Sequence, residues 1–352
     1  MFSELPLVDL DERVTGSQVE WFRQGVASPA RESEYWVVRD FAGGVAKVTA
    51  PVQLIGGWYD IFLPWMLEDF RALRAAGDEP QLMIGPWTHT SPGLMTAGIR
   101  EGLGWLRARL LDDERLVRPA PVIVRLTGEG VDSPWRELPA WPPPGTHEWP
   151  LWLGDHHQLR ADPPTDAAGG GDRYRYDPTD PTPSVGGPIL LEREPVVDNR
   201  KLEERADVLT YTTLALPVAY EAIGPVRVEL WVSASEPFFD MFARVCDVDR
   251  EGASWNVCDA LARVAPDRLE PDADGVWHVA FDLWPTGHLF GSGHRIRLQV
   301  SSGAHPRYAR NPGTGEDPLA ATTLKAVDIE ILRDTEHASM LVLPRGTTAP
   351  LT

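Results

Sequence analysis

The sequence predicts an α/β segment followed by an all-β sandwich. Three observations carry that prediction. Two short apolar runs ending in glycine, Pro51 to Gly57 and Gln81 to Gly85, flank a stretch with helical spacing. Beyond about residue 120, runs of alternating apolar and polar residues take over. Clusters of Pro, Gly, Asp and Thr separate those runs.

Each element follows from its own pattern. Residues 1–48 show aromatic points at Trp21, Phe22, Tyr35 and Trp36 but no closed unit. Pro51-Val52-Gln53-Leu54-Ile55-Gly56-Gly57 reads as a buried parallel strand. Leu63, Met66, Leu67, Phe70 and Leu73 then recur at helical spacing. Pro64 suits the first turn of that helix and Gly77 its end. Gln81 to Gly85 is a second strand, and Ile99, Leu103, Leu106 and Leu110 mark a second helix. The order is strand, helix, strand, helix, a βαβ unit with one helix more. The α/β part is placed at residues 49–118 and the sandwich, a jelly roll, at 119–352. Val122 to Leu126 is strand-like, and Pro139 to Gly145 is a proline-rich connection. Residues 162–188 read as a long loop or a set of turns. Val226, Val228, Leu230 and Val232 alternate with polar neighbours, as do Ile296, Leu298 and Val300; Val276 to Phe281 is similar. Many short strands broken by turns make a sandwich.

Composition narrows the function. The chain has 352 residues, enough for two domains, and 43% are hydrophobic. Its net charge of −19 argues against a nucleic-acid or anionic-membrane surface, which needs clustered Lys and Arg. Cys246 and Cys258 sit in apolar stretches and read as buried free thiols without zinc-type spacing. Met1 to Pro6 lacks the basic and apolar regions of a signal peptide. No apolar run is long enough to span a bilayer, so a cytoplasmic location is expected.

The chemistry gathers in Gly56-Gly57-Trp58-Tyr59-Asp60-Ile61-Phe62 and Gly85-Pro86-Trp87-Thr88-His89-Thr90. Each segment follows a strand, and function collects beyond the carboxyl ends of parallel strands. A right-handed crossover through one helix puts the two strands in one sheet. Neighbouring strands lie about 4.8 Å apart, so Asp60 and His89 emerge at one edge. An Asp that orients a His is two-thirds of a serine triad, and Asp before His matches one of its chain orders. No G-x-S-x-G elbow precedes them. Ser292, between Gly291 and Gly293, has the wrong position, and Ser17 follows no strand. Spacing alone leaves a helix N-cap role open for Asp60 and a structural role open for His89.

At these motifs the sequence resembles the CocE/NonD family of serine hydrolases, the cocaine esterase and X-prolyl dipeptidyl-peptidase group. That family places its triad Asp in G-W-Y-D-x-F, here Gly57 to Phe62, and its triad His in G-P-W-x-H, here Gly85 to His89. The likeness continues through Asp207 to Thr212, Gly224 to Ser233, Cys258-Asp259 with Arg263, Gly293 to Ser302, Pro306 to Tyr308 and Arg310 to Pro312. The resemblance implies the C-terminal remnant of an α/β-hydrolase domain followed by a jelly-roll β-sandwich. Residues 1–48 would be the end of a helical cap and 49–118 the last two strands of the hydrolase sheet with their helices. Asp60 and His89 would be catalytic, and Phe62 would line the acyl pocket. The front part of the family's α/β domain, with the nucleophile elbow, has no counterpart here. One strand edge and an apolar face would then lie uncovered. Three readings stay open: a fragment of a longer hydrolase, one half of a split hydrolase completed by another chain, or a non-catalytic jelly-roll binding module.

Other candidates are weaker. Trp58 and Trp87 could face substrate or pack in the core. His156 and His157 are adjacent on a presumed strand end and make a poor chelate. Asp240, Asp247, Asp249 and Asp259 lack the pattern of a calcium loop and suit turns and ion pairs. Arg295, Arg297, Arg307 and Arg310 suit structural ion pairs. No cofactor and no metal are expected. The expected partner is a small ester or peptide substrate, with a hydrolase half in another chain or a homo-oligomer also compatible. The chain alone is expected to lack acyl-transfer activity.

Overall fold

A computed structural model of the chain describes residues 4–28, 30, 32–128, 135–165, 170–190 and 194–346. Residues 1–3, part of the segment read for a leader, lie outside the described residues.

The first described residues form short helices: α1 (Leu10–Thr15), α2 (Glu20–Val26), α3 (Glu34–Val37) and α4 (Ala42–Val45). They bury almost nothing, and Trp21, Val38 and Phe41 stand exposed. Just ahead of α1, the Val8 N–H donates to the Leu319 carbonyl at 2.8 Å, which ties this segment to the sandwich.

The α/β part is built as its pattern predicts. Strand β1 (Gln53–Gly57) runs parallel to β2 (Gln81–Gly85), with Gly57 opposite Gly85. Helix α5 (Leu63–Ala75) connects them and buries Leu63, Leu67, Phe70 and Leu73. That is the apolar face its spacing defines. Helix α6 (Pro92–Leu111) follows β2. Its buried residues are Gly104, Trp105 and Ala108. The stripe that predicts the helix points the other way: Met95, Ile99, Leu103, Leu106 and Leu110 are all more than half exposed.

The sheet does not stop at residue 118. Strand β3 (Val122–Arg125) pairs parallel with β2, and β4 (Trp135–Leu138) pairs antiparallel with β3. The four strands lie in the order β1-β2-β3-β4, so β1 is an outer strand. A boundary at 118/119 therefore cuts this sheet. The sheet has four strands, and its last two lie past the expected division. Val122 and Val124 are fully buried in one cluster with Leu63, Leu67 and Phe70 of α5 and with Trp284 and Leu289 of the sandwich.

The sandwich comprises β5 (His147–Gly154), β6 (Gln158–Arg160), β7 (Gly171–Tyr176), β8 (Leu209–Thr212), β9 (Tyr220–Ala234), β10 (Phe239–Val248), β11 (Ser254–Val264), β12 (Val276–Phe290), β13 (Arg295–Ser301), β14 (Val327–Leu332) and β15 (Met340–Arg345). A short helix, α7 (Arg200–Glu203), precedes β8. The strands run β11-β10-β13-β8-β6-β5-β15-β9-β14-β7, with β12 also on β9. Alternation sets the faces. Val226, Val228, Leu230 and Val232 are fully buried in β9 while Arg227, Glu229 and Trp231 are not. Ile296, Leu298 and Val300 do the same in β13. The stretch 162–188 contains strand β7, which pairs with β14 and turns Tyr174 and Tyr176 inward; residues 166–169 of it lie outside the described residues.

Cys246 and Cys258 are buried and unbridged. Burial pushes the Cys246 thiol up to about 12, so it stays protonated and inert.

The two parts share a core. Trp58, Trp141, Ile223, Trp284 and Leu289 pack together across the junction. The Thr127 N–H donates to Gly287 O, and the Leu289 N–H donates to Thr127 O, both at 2.8 Å. Gly287 is required there, since a Cβ on it would stand 2.4 Å from the Trp58 ring.

Candidate active site

Three residues beyond β1, the chain turns into α5, and Asp60 sits in that turn. Its carboxylate does two things. Oδ1 accepts the Phe62 N–H at 2.9 Å, which holds the helix entry. Oδ2 faces Nδ1 of His89 at 3.1 Å. The N-cap of α5 is Phe62 and no side chain caps the helix, so Asp60 shapes the turn two residues ahead of the N-cap while it faces His89. Asp60 is buried, 5% exposed, whereas the His89 side chain is 41% exposed. A carboxylate can only accept, so Nδ1 carries the proton and Nε2 is left as an acceptor toward solvent. This is the tautomer a general base needs.

Main-chain bonds join the two loops. The Trp58 N–H donates to Gly85 O at 2.9 Å, and the Tyr59 N–H donates to Trp87 O at 3.0 Å. Gly57 makes that approach possible: a Cβ there would lie 2.1 Å from the Trp87 carbonyl oxygen. The neighbour is backbone, so it cannot swing away. Gly57→Ala is expected to cost about 1–3 kcal/mol through overpacking and to pull Asp60 away from His89. Denaturant unfolding reads the first effect; loss of the Nδ1-protonated His89 tautomer in a nitrogen NMR spectrum reads the second.

The other predicted site residues separate. Phe62 is half exposed, and its ring meets the His89 ring edge-on at 4.8 Å between centroids. It therefore borders the pair. Trp58 does not face the site. It is 4% exposed, packs on Trp141 and donates its indole N–H to Arg125 O at 2.7 Å. As the first residue past β1 it turns into the junction core, so a substrate role for it is withdrawn. Trp87 is half-buried and packs against Trp135 at 5.8 Å, beside the pair.

The sandwich reaches the site, which the sequence pattern does not announce. The Thr90 hydroxyl donates to Leu190 O at 3.2 Å, and the Ile189 N–H donates to Tyr59 O at 3.2 Å. Leu190 is 46% exposed beside these loops. This segment has no periodicity, and only the tertiary fold brings it here. Ser292 lies in the turn between β12 and β13 and donates to Pro217 O, while Ser17 follows the left-handed Gly16 that ends α1. Neither stands on a strand-to-helix elbow. Among the described residues no group of three His, Cys, Asp or Glu could hold a metal ion.

A family profile described as the X-Pro dipeptidyl-peptidase C-terminal non-catalytic domain matches residues 115–342, well over half of the chain. A second, the X-Pro dipeptidyl-peptidase (S15 family), matches residues 3–91. The chain belongs to the CocE/NonD and X-Pro dipeptidyl-peptidase family of hydrolases. Its relatives include the cocaine esterase of Rhodococcus sp. (strain MB1 Bresler), 31% identical over 372 residues, which cover 95% of this chain and 63% of that one. Among solved structures, an alpha-amino acid ester hydrolase superposes with a TM-score of 0.83 at 21% identity, covering 98% of this chain and 63% of the other. An aminopeptidase from a marine sediment archaeon, Thaumarchaeota archaeon, gives a TM-score of 0.82 at 21% identity, covering 95% and 61%. These two likenesses show the fold: part of an α/β-hydrolase domain with a β-sandwich after it. The chain spans less than two thirds of the length of each of these proteins. No helix among the described residues is long and apolar enough to cross a membrane.

Proposed function

We propose that this chain supplies the acid and the base of a serine hydrolase acting on ester or amide bonds of small substrates, and that polypeptide outside these residues supplies the serine. The observation that carries the proposal is the Asp60–His89 pair. It sits just past the ends of adjacent parallel strands, with the Asp buried and the His89 side chain partly exposed. In this role His89 takes the serine proton as the hydroxyl attacks the carbonyl carbon. It then returns that proton to the leaving alcohol or amine, and the acyl-enzyme is hydrolysed by the same cycle with water. Asp60 holds the tautomer and stabilises the imidazolium. Phe62, whose ring meets that of His89, and Leu190, bonded to Thr90, would contact the acyl group.

Two uncovered features support a second polypeptide segment on this face. Among the described residues strand β1 has a strand neighbour on one side only, and the apolar stripe of α6 faces outward. Such surfaces are normally paired or covered. The match to the cocaine esterase leaves over a third of that relative outside the alignment, ample for the missing strands and a nucleophile. Residues 4–48 fit, by family resemblance, the end of the cap segment that precedes the triad Asp.

The test is labelling by a fluorophosphonate, which reacts only with an activated serine. The purified 352-residue chain is expected to stay unlabelled. Joined to, or co-expressed with, a nucleophile-bearing front segment from its own gene neighbourhood, it is expected to label and to hydrolyse a p-nitrophenyl ester. Strong labelling of the chain alone would overturn the proposal, as would an assembled protein that stays inert.

A further inference from the structure

A cleft of about 470 Å³ opens on the sandwich, lined in part by His156, His157, Thr210, Thr212, Leu214 and Arg295. The site loops of Asp60 and His89 contribute nothing to it. Its floor is one sheet: Thr210 and Thr212 share a face of β8, and Thr212 pairs with Arg297 of β13 and with Gln158 of β6.

The hairpin between β5 and β6 forms one wall. The Gln158 N–H closes its turn on Asp155 O. Both central residues are left-handed: His156 has φ 55° and His157 has φ 56°. Two consecutive left-handed residues make a type I′ turn, which favours Asn-Gly and disfavours bulky side chains. A non-glycine residue held there costs about 1–3 kcal/mol. The turn is pinned from outside by Arg333, which binds Asp155 and Asp172. The His157 ring packs on Tyr211 at 5.6 Å. The sequence thus keeps two imidazoles where the backbone prefers Asn and Gly, and presents both at the cleft.

The charge is equally unusual. The protein carries a net charge of −19, with 52 acidic and 33 basic residues, and most of its arginines find a carboxylate. Arg297 is neutralised by Glu203 and also donates to the Thr212 hydroxyl. Arg295 lies two residues earlier on β13, half-buried, and makes no ion pair among the described residues. One unneutralised guanidinium, two imidazoles and a threonine hydroxyl converge on one cleft with an exposed leucine at its rim.

We propose that this cleft binds a small oxyanion, a phosphate or carboxylate group of a small organic molecule. Arg295 provides the charge-assisted hydrogen bonds, His156 and His157 close over the anion, Thr210 takes a hydroxyl, and Leu214 covers the ligand's carbon skeleton. A cation is disfavoured by Arg295. The site is independent of the acyl-transfer reading, because it needs neither the serine nor the face on which that segment would dock.

The experiment uses the full chain, labelled at histidine, titrated with inorganic phosphate at constant pH and at ionic strength held with chloride. The His156 and His157 resonances are expected to move saturably, and citrate to compete. Arg295→Gln is expected to weaken phosphate by about tenfold or more. The double variant H156N/H157G matches the turn's preference, so it is expected to unfold at higher temperature while losing phosphate binding as read by titration calorimetry. That combination separates a ligand role from a structural one. Resonances that do not move with phosphate, or move equally in Arg295→Gln, overturn the proposal; saturation by phosphate without competition by citrate confines the ligand to phosphates.

Discussion

In the hydrolase assembled with its nucleophile, His89→Ala is expected to lower kcat/KM by about four orders of magnitude or more, with KM nearly unchanged. The imidazole is 41% exposed and makes one side-chain hydrogen bond, to Asp60, so its removal costs little stability. A large fall in rate with an unchanged unfolding curve is therefore the signature of catalysis. Asp60→Asn is the sharper variant. The new amide oxygen still accepts the Phe62 N–H, which keeps the entry to α5 intact. That orientation turns the amide NH2 toward His89. Nδ1 must then accept, the proton moves to Nε2, and the base can no longer take a proton from serine. The expected loss is again about 10⁴-fold in kcat, without unfolding. The two substitutions remove one device, so the double variant should be no slower than His89→Ala alone. Rates within a few-fold of the parent, measured with a p-nitrophenyl ester, would show that the pair only shapes the turn.

How much of this was readable in the chain follows the range of the forces involved. The parallel strands, α5 and the Asp60–His89 juxtaposition were legible. They depend on short apolar runs, helical spacing and a right-handed crossover, all local or nearly so. Strand β7 was not legible, because Asp172-Arg173-Tyr174-Arg175-Tyr176 alternates charge with tyrosine inside a Gly- and Asp-rich stretch. Its alternation is real, but the outward residues are charged and the inward ones polar-tipped. The sheet position of β3 was also hidden. Val122-Ile123-Val124 would suit either sheet, and only its parallel pairing with β2 decides. Trp58 shows the limit of motif reading. It lies two residues from Asp60, yet one turn of backbone sends its ring into the junction core. Leu190 reaches the site from 100 residues beyond Thr90, with nothing periodic to mark it. The helical stripe of α6 was read correctly as a helix; its outward orientation is a tertiary fact, and it points to the uncovered face.

The largest stability effect is expected from Asp259. Its carboxylate is fully buried between two arginines. Oδ2 accepts from Nε and Nη2 of Arg244 at 3.0 and 2.8 Å, and Oδ1 accepts from Nη1 of Arg307 at 2.6 Å. Arg244 is 1% exposed and also donates to Asn199 and to the Val185 carbonyl. Asp259→Ala strands the buried Arg244 and takes the carboxylate from the partly buried Arg307, and breaking a buried pair from one side costs about 3–5 kcal/mol. Replacing one partner is worse than replacing all three with apolar groups, since the cost comes from the charge left behind. The pH dependence has a definite sign. Burial opposes ionisation of Asp259, but the charges of Arg307 and Arg244 outweigh it and hold the carboxyl below its ordinary value of 3.8. A depressed carboxyl contributes its full stability above the unfolded value, and that contribution is lost as pH falls through the lower, folded one. Asp259→Ala should thus lower stability strongly at neutral pH and by less at a pH well below 3.8, as the parent's own carboxylate becomes protonated. Urea unfolding at the two pH values measures this, and an equal loss at both would contradict it. The effect should also reach the site. The network grips Val185, and a few residues on, Ile189 and Leu190 bond to Tyr59 and Thr90 beside His89. Loosening that grip should raise KM in the assembled hydrolase more than it lowers kcat, because the acyl-pocket wall moves while Asp60 and His89 stay on their own strands.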